Sequence, residues 1–282
     1  MTEACPRSPT GRGASLKTKR LGIRIPWRAL IFKRLYMPNL NGYSDIFKFH
    51  KNAALNVDPS KSYSEFKSHP ELYNFIIAVN QNPDSPSLQQ AISINPLTAF
   101  ELIQKGGSRA GGYFGCIDVV ECRHILMLAF LKNYIGDKSL GNVLEIGGGY
   151  GNFVRLATNI FKWEDWCIID LEYISQLQKW FLGTEKISLD RVHFMSEDHL
   201  QPYIADTIIG THSLSEFDMD TFINYYERYI QRAQRLFYVS HVSMPSPELL
   251  KLKFDMIRAD FELLTTQGYE NHQSMMYIFE HK

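Results

Sequence analysis

The sequence is short of several features that would place it at once. It has four cysteines in 282 residues, Cys5, Cys116, Cys122 and Cys167. They form no CxxC pair and have no histidine at zinc-site spacing. Thiols so few and scattered build no disulfide framework and suit a reduced, cytoplasmic chain. Long apolar runs are missing too: the longest, Ile125 to Leu131, is seven residues, where a membrane-spanning helix needs about 20. Net charge is absent, with 30 basic residues against 30 acidic, so no protein-wide field draws in nucleic acid. No repeat of about 20 to 50 residues is visible, which excludes solenoids and propellers. What remains is an ordinary folding composition, 45% hydrophobic and 21% charged, unlike that of a disordered or coiled-coil chain.

Charge is nevertheless unevenly placed. Residues 1–40 hold nine Lys or Arg and one acid, leaving 21 basic against 29 acidic residues in the remainder. The body is therefore mildly acidic, a poor surface for nucleic acid. Two readings fit the basic arm. In one it is solvated and partly disordered, packing Trp27, Leu30, Ile31 and Leu35 on the domain. In the other, Arg24, Arg28, Lys33 and Arg34 flank those apolar residues to make a weak contact with a membrane surface or an anionic partner.

Residues 41–138 read as a mostly helical region that lids a pocket and selects an acceptor. The run LYNFIIAV suits a helix, NQNPDSPS a turn, and Leu97 to Lys105 a helix that stops at Gly106 and Gly107. The following RAGGYFG is a loop rich enough in glycine to approach a ligand. From Val119 to Tyr134 apolar residues return at helical spacing. Beyond Gly141 the texture changes, and residues 139–282 read as an α/β core. Strand VLEI, a glycine turn, helix FVRLATNIF, strand WCIID and helix EYISQLQKWFL imply a parallel sheet with right-handed crossovers. Strands are also expected at Arg191–Met195, Asp206–Gly210 and Leu236–Ser240. The aromatic face Phe222, Tyr225, Tyr226 and Tyr229 marks a helix that Asp218 or Asp220 starts. FELLTTQG and SMMYIFEH close the sheet as an antiparallel hairpin.

In an open α/β sheet ligands sit beyond the carboxyl ends of the strands. The turn there, EIGGGYG, carries Gly147, Gly148, Gly149 and Gly151. It is not a dinucleotide fingerprint: G-x-G-x-x-G read from Gly147 meets Asn152, and read from Gly149 meets Val154. Instead an acid, Glu145, stands inside the strand. It would repel a pyrophosphate and attract an amino group or a sulfonium. Asp170, nineteen residues past Gly151, ends the next strand, where a carboxylate accepts hydrogen bonds from ribose hydroxyls. A ligand that is a nucleoside at one end and cationic at the other satisfies both acids, and S-adenosylmethionine is such a compound.

These strings also carry a resemblance. LEIGGGYGNFVRL followed by CIIDL resembles the first motif and partner acid of class I S-adenosylmethionine-dependent methyltransferases, from about Gly141 to Lys282. GTHSLSEF, residues 210–217, with the upstream RAGGYFG, resembles the sugar O-methyltransferase family. The resemblance implies a Rossmann-like, mostly parallel sheet with an antiparallel terminal hairpin. It implies S-adenosylmethionine as cofactor, held by Glu145, Gly147, Gly148, Gly149, Gly151, Asp170, Leu171, Ser196, Glu197 and Thr211. The stretch HLQPYIAD departs from the family in being too short for the helix usual between the third and fourth strands. The acceptor expected is a sugar, a nucleotide-linked sugar or another glycan.

Methyl transfer to a hydroxyl needs alignment and removal of a proton, and a positioned base contributes about 10²–10⁴-fold. His212, directly after the fourth strand, is the first candidate, either as base or as a structural hydrogen-bonder. Glu216 is the second candidate or the group that orients it. His241, Arg109, Tyr113 and Phe114 are candidates for holding the acceptor. Ser213 and Ser215 read as turn and cap residues, since no G-x-S-x-G elbow surrounds them. Asp218 and Asp220 read as helix caps, and no metal site is expected. Two other readings stay open: methylation of another small molecule or RNA, and a module that binds S-adenosylmethionine without catalysis.

Overall fold

The computed structural model describes residues 86–107, 119–241, 246–269 and 273–282. Three helices come first: α1 (Pro86–Ile94), α2 (Pro96–Gly107) and α3 (Val119–Ile135). The core then alternates β1 (Val143–Ile146), α4 (Asn152–Ala157), β2 (Trp166–Asp170), α5 (Glu172–Thr184) and β3 (Val192–Ser196). It continues with β4 (Thr207–Thr211), α6 (Ser213–Glu216), α7 (Met219–Arg228), β5 (Arg235–His241), α8 (Pro247–Asp260), β6 (Phe261–Tyr269) and β7 (Ser274–His281). The strands form one sheet in the order β3-β2-β1-β4-β5-β7-β6. The five strands β1 to β5 run parallel, and β7 pairs antiparallel with both β5 and β6. This is the Rossmann-like, mostly parallel sheet with an antiparallel terminal hairpin that the sequence leads one to expect.

Alternation along the strands divides the interior into two layers. Val143, Trp166, Ile168, Ile209, Phe237, Val239, Met276 and Ile278 pack against α1 to α5. Leu144, Ile146, Cys167, Ile169, Ile208, Leu236, Tyr238 and Phe279 face α7, α8 and the residues beside them. The helices α1 to α3 thus share a core with the sheet. In α3 every residue from Ile125 to Leu131 is buried, as a helix apolar all round must be.

Some boundaries differ from the sequence reading. α2 takes in Gly106 and ends at Gly107, so the glycine pair forms its last residues rather than following it. Of the two candidate caps, Asp218 serves: its carboxylate accepts the Thr221 N–H at 2.7 Å. Between β3 and β4 there is only a 3₁₀ turn, Glu197–His199, as the brevity of HLQPYIAD requires. α8 has no counterpart in the reading above, although Ser246 caps it and Pro247 opens it, a strong start signal. Residues 1–85 and the RAGGYFG loop, with Arg109, Tyr113 and Phe114, lie outside the described residues.

Candidate functional site at the carboxyl edge of the sheet

The parallel strands β1, β2 and β4 end together, and the glycine turn after β1 lies between them. Gly147, Gly149 and Gly151 have φ of +78°, +55° and +91°, values that L side chains rarely adopt. Their surroundings differ. A Cβ on Gly147 would fall 2.5 Å from the Ser213 Cβ, and one on Gly148 would fall 2.5 Å from the Ile168 side chain. These two glycines permit close packing. A Cβ on Gly149 meets nothing within 4 Å, so Gly149 exposes bare backbone to open space, where a ligand can lie against it.

Beneath the turn lies Glu145, fully buried. One carboxylate oxygen accepts the Trp166 indole N–H at 2.9 Å; the other is buried with no hydrogen-bond partner. Burial, with the Asp170 charge adding to it, pushes the Glu145 carboxyl up to about 8. An acid this enclosed and half satisfied is costly in the folded chain. A cationic group brought to it would restore its ionised form.

Asp170 ends β2. Its Oδ1 accepts the Leu171 N–H at 2.8 Å and its Oδ2 the Gln178 amide at 3.0 Å. Desolvation raises it to about 7, with the nearby Glu197 carboxylate adding to the shift. Gln178, which the sequence reading passed over, also donates to the Gly149 carbonyl at 2.9 Å. It therefore ties the glycine turn to Asp170. Its signal was present: in α5 a glutamine occupies a position between Leu177 and Phe181 that is fully buried. Ser196 lies opposite Asp170 in the β2–β3 register. The Ser196 hydroxyl accepts the Asp198 N–H, and one Glu197 carboxylate oxygen is buried without a partner. Burial raises the Glu197 carboxyl as well.

Across β1, the turn after β4 brings in the histidines. Thr211 is the last residue of β4 and His212 follows with φ +73°, a strained backbone for a residue with a Cβ. Its surroundings hold it there. The Ser213 hydroxyl donates to the Ile146 carbonyl, and the Ser215 hydroxyl to the His212 carbonyl at 2.5 Å. The Lys253 ammonium, fully buried on α8, donates to the carbonyls of Leu214, Ser215 and Phe217 at 2.8, 2.9 and 2.6 Å. Desolvation lowers this lysine to about 7, while Asp218 and Glu216 oppose the shift. Ser213 and Ser215 are thus occupied as turn residues. Lys253 went unnoticed in the sequence because α8 did.

The His212 ring stacks on that of His241, centroids 4.1 Å apart. Its Nε2 lies 2.7 Å from the Tyr269 hydroxyl, and its Nδ1 is buried without a hydrogen-bond partner. Burial, then His241, Arg123 and His124, lowers His212 to about 3, so the imidazole is neutral. His241 Nδ1 lies 3.3 Å from the Ser274 hydroxyl. Its Nε2 is 3.9 Å from the Glu216 carboxylate, which is therefore beside His241 rather than in contact with His212. Sequence spacing alone pairs Glu216 with His212; in the structure its carboxylate lies beside His241 at the end of the neighbouring strand. From α3, His124 contacts Asn152 at 3.1 Å, and Glu121 accepts from Arg155 at 2.5 Å. A buried polar network thus anchors α3 to the helix that follows the glycine turn. Among the described residues no group of three or more His, Cys, Asp or Glu converges as a metal site, and no helix is long and apolar enough to cross a membrane.

No protein-family model and no curated protein sequence matches the chain. Solved structures are similar at low identity. YcgJ from Bacillus subtilis is 13% identical, over 55% of this chain and 97% of its own, with a TM-score of 0.42. A protein of the NADB-Rossmann superfamily from Streptococcus agalactiae is 12% identical, over 55% and 67%, with a TM-score of 0.43. The mitomycin 7-O-methyltransferase MmcR is 10% identical, over 82% and 75%, with a TM-score of 0.40. Likenesses of this size say nothing about activity, which has to be argued from the site.

Proposed function

We propose that the protein is an S-adenosylmethionine-dependent O-methyltransferase acting on a hydroxyl of a sugar or sugar-containing metabolite. The observation that carries the donor half is Glu145: a buried carboxylate with an unpartnered oxygen under a glycine turn, one strand from Asp170. That arrangement fits a ligand with a cationic amino-acid end and a ribose. When bound, S-adenosylmethionine supplies an already activated methyl group, whose bond to sulfur breaks with both electrons on sulfur as the acceptor oxygen takes the carbon. The chain's own residues do the rest. Glu145 and the Gly149 backbone receive the amino-acid end, Asp170 the ribose hydroxyls, and Glu197 the base end. His212, neutral and beside the turn, takes the acceptor's proton. What supports the sugar half is the sequence of the β4 turn, GTHSLSEF, whose likeness to sugar O-methyltransferases is noted above; His241 is a candidate for the acceptor's remaining polar groups.

Calorimetry with S-adenosylhomocysteine tests the donor site, with saturable binding expected and no heat of binding fatal to the reading. Labelled donor incubated with an extract of sugar nucleotides tests the acceptor. A labelled sugar derivative is expected, and its formation should fall about 10²–10⁴-fold in His212→Ala. Label appearing only in RNA or in a non-sugar metabolite would replace the acceptor class and keep the chemistry.

A further inference from the structure

The last hairpin of the sheet does more than complete the fold. Tyr269, the final residue of β6, and Ser274, the first of β7, face each other in the β6–β7 register. Ser274 is also paired with His241 across β5 and β7. One end of one hairpin therefore carries a hydroxyl for each of two stacked histidines, Tyr269 to His212 and Ser274 to His241. Tyr269 is buried, and the backbone beside it is held from the amino-terminal layer, where the Gln90 amide of α1 donates to the Gly268 carbonyl at 2.6 Å. The backbone next to Tyr269 is thus held by α1, and the Tyr269 hydroxyl meets His212.

An imidazole with one nitrogen engaged has one nitrogen left for chemistry. Nε2 of His212 is engaged by Tyr269; Nδ1 is buried with no hydrogen-bond partner. For His212 to accept a proton from a hydroxyl, the lone pair must be on Nδ1, which puts the hydrogen of the neutral ring on Nε2. We propose that Tyr269 is the positioning residue that holds the ring in this tautomer: its phenol oxygen accepts the Nε2–H of His212 and leaves Nδ1 to take the acceptor's proton. The inference rests on the methyl-transfer reading for its purpose, but not for its test. The acceptor's proton passes to Nδ1, and the imidazolium so formed keeps its Nε2–H bond to the phenol oxygen, now strengthened by charge. The other groups around the ring are His241, stacked on it, and His124 and Arg123 from α3, where a positive charge acts against that cation. An oxygen acceptor at Nε2 is the group that favours it.

Histidine-selective ¹⁵N labelling and heteronuclear NMR read the tautomer directly, with His212→Ala assigning the resonances. The parent is expected to show a His212 Nε2–H proton in slow exchange with solvent and an unprotonated Nδ1. In Tyr269→Phe, which keeps the ring and deletes the oxygen, the Nε2–H should exchange at least about tenfold faster and move upfield. A parent with the hydrogen on Nδ1 overturns the proposal, as does a Tyr269→Phe spectrum identical to the parent's. Binding of S-adenosylhomocysteine, within about twofold of the parent in Tyr269→Phe, shows that the fold is kept. If neither protein binds it, the methyl-transfer reading falls and takes the role of the pair with it, whichever nitrogen holds the hydrogen.

Discussion

The carboxyl edge of the sheet has an acid half, Glu145 of β1 and Asp170 of β2, and a histidine half, His212 after β4 with His124 of α3 near it and the buried Lys253 behind its turn. Glu145 and Asp170 are pushed up to about 8 and 7; His212 and His124 are lowered to about 3. Desolvation is the first cause in all four. One physical effect therefore keeps both the acids and the histidines neutral, by adding protons to the former and withholding them from the latter. The consequences for binding are opposite. A cation arriving at Glu145 and Asp170 is met by acids that ionise in response. A hydroxyl arriving at His212 is met by a lone pair.

The sharpest way to break the donor half is Gly149→Val. At φ +55° with nothing within 4 Å of its Cβ position, a valine there fills the space assigned to the ligand and strains the turn. S-adenosylhomocysteine affinity should fall at least about 100-fold, or about 3 kcal/mol, in calorimetry.

Opposed protonation gives the next test. Glu145 is protonated in the folded chain up to about pH 8, but ionises near 4.5 when unfolded; it thus gives stability that is full below 4.5 and is lost as pH rises. His212 behaves in the opposite sense, with stability present above 6.5 and lost as pH falls toward about 3. Between pH 4.5 and 6.5 the two slopes oppose each other, each up to about 1.4 kcal/mol per pH unit. Glu145→Gln should make urea-measured stability fall more steeply with falling pH than in the parent, by about that slope, and His212→Ala should make it fall less steeply. Matching slopes in the parent and both variants would deny the contrast.

Lys253→Met removes three hydrogen bonds to carbonyls around α6 and lets His212 leave its strained backbone. A loss of about 2 kcal/mol in denaturant unfolding is expected, with donor affinity kept, because the lysine serves only the histidine half. The smallest effect is the pH dependence of binding. S-adenosylhomocysteine affinity should rise about tenfold between pH 6 and 8.5, with proton release seen as a dependence of the heat on buffer ionisation enthalpy. 5′-Methylthioadenosine, which lacks the amino-acid end, should show less of both.

Much of the acid half was legible in sequence. VLEI and WCIID are short apolar runs that carry an acid at a fixed place, and glycines at 147, 148, 149 and 151 mark the turn, so local pattern pointed to the candidate site. The histidine half was legible only as His212 and His241 at strand ends. Lys253 was missed because a charge in the middle of the Leu250, Phe254 and Ile257 stripe weakens the helical pattern of α8. Tyr269 was missed because it lies 57 residues from the histidine it meets.

By itself the sequence determined the strands and the helices between them as far as β5, the terminal hairpin, the glycine turn and the acids at its edges, since each depends on residues within a turn or two of one another. Tertiary structure decided which nitrogen of His212 is engaged, which histidine Glu216 stands beside and what the buried lysine caps. Those are contacts between distant segments, and they exist only once β4, β5, α8 and the last hairpin are packed together away from water.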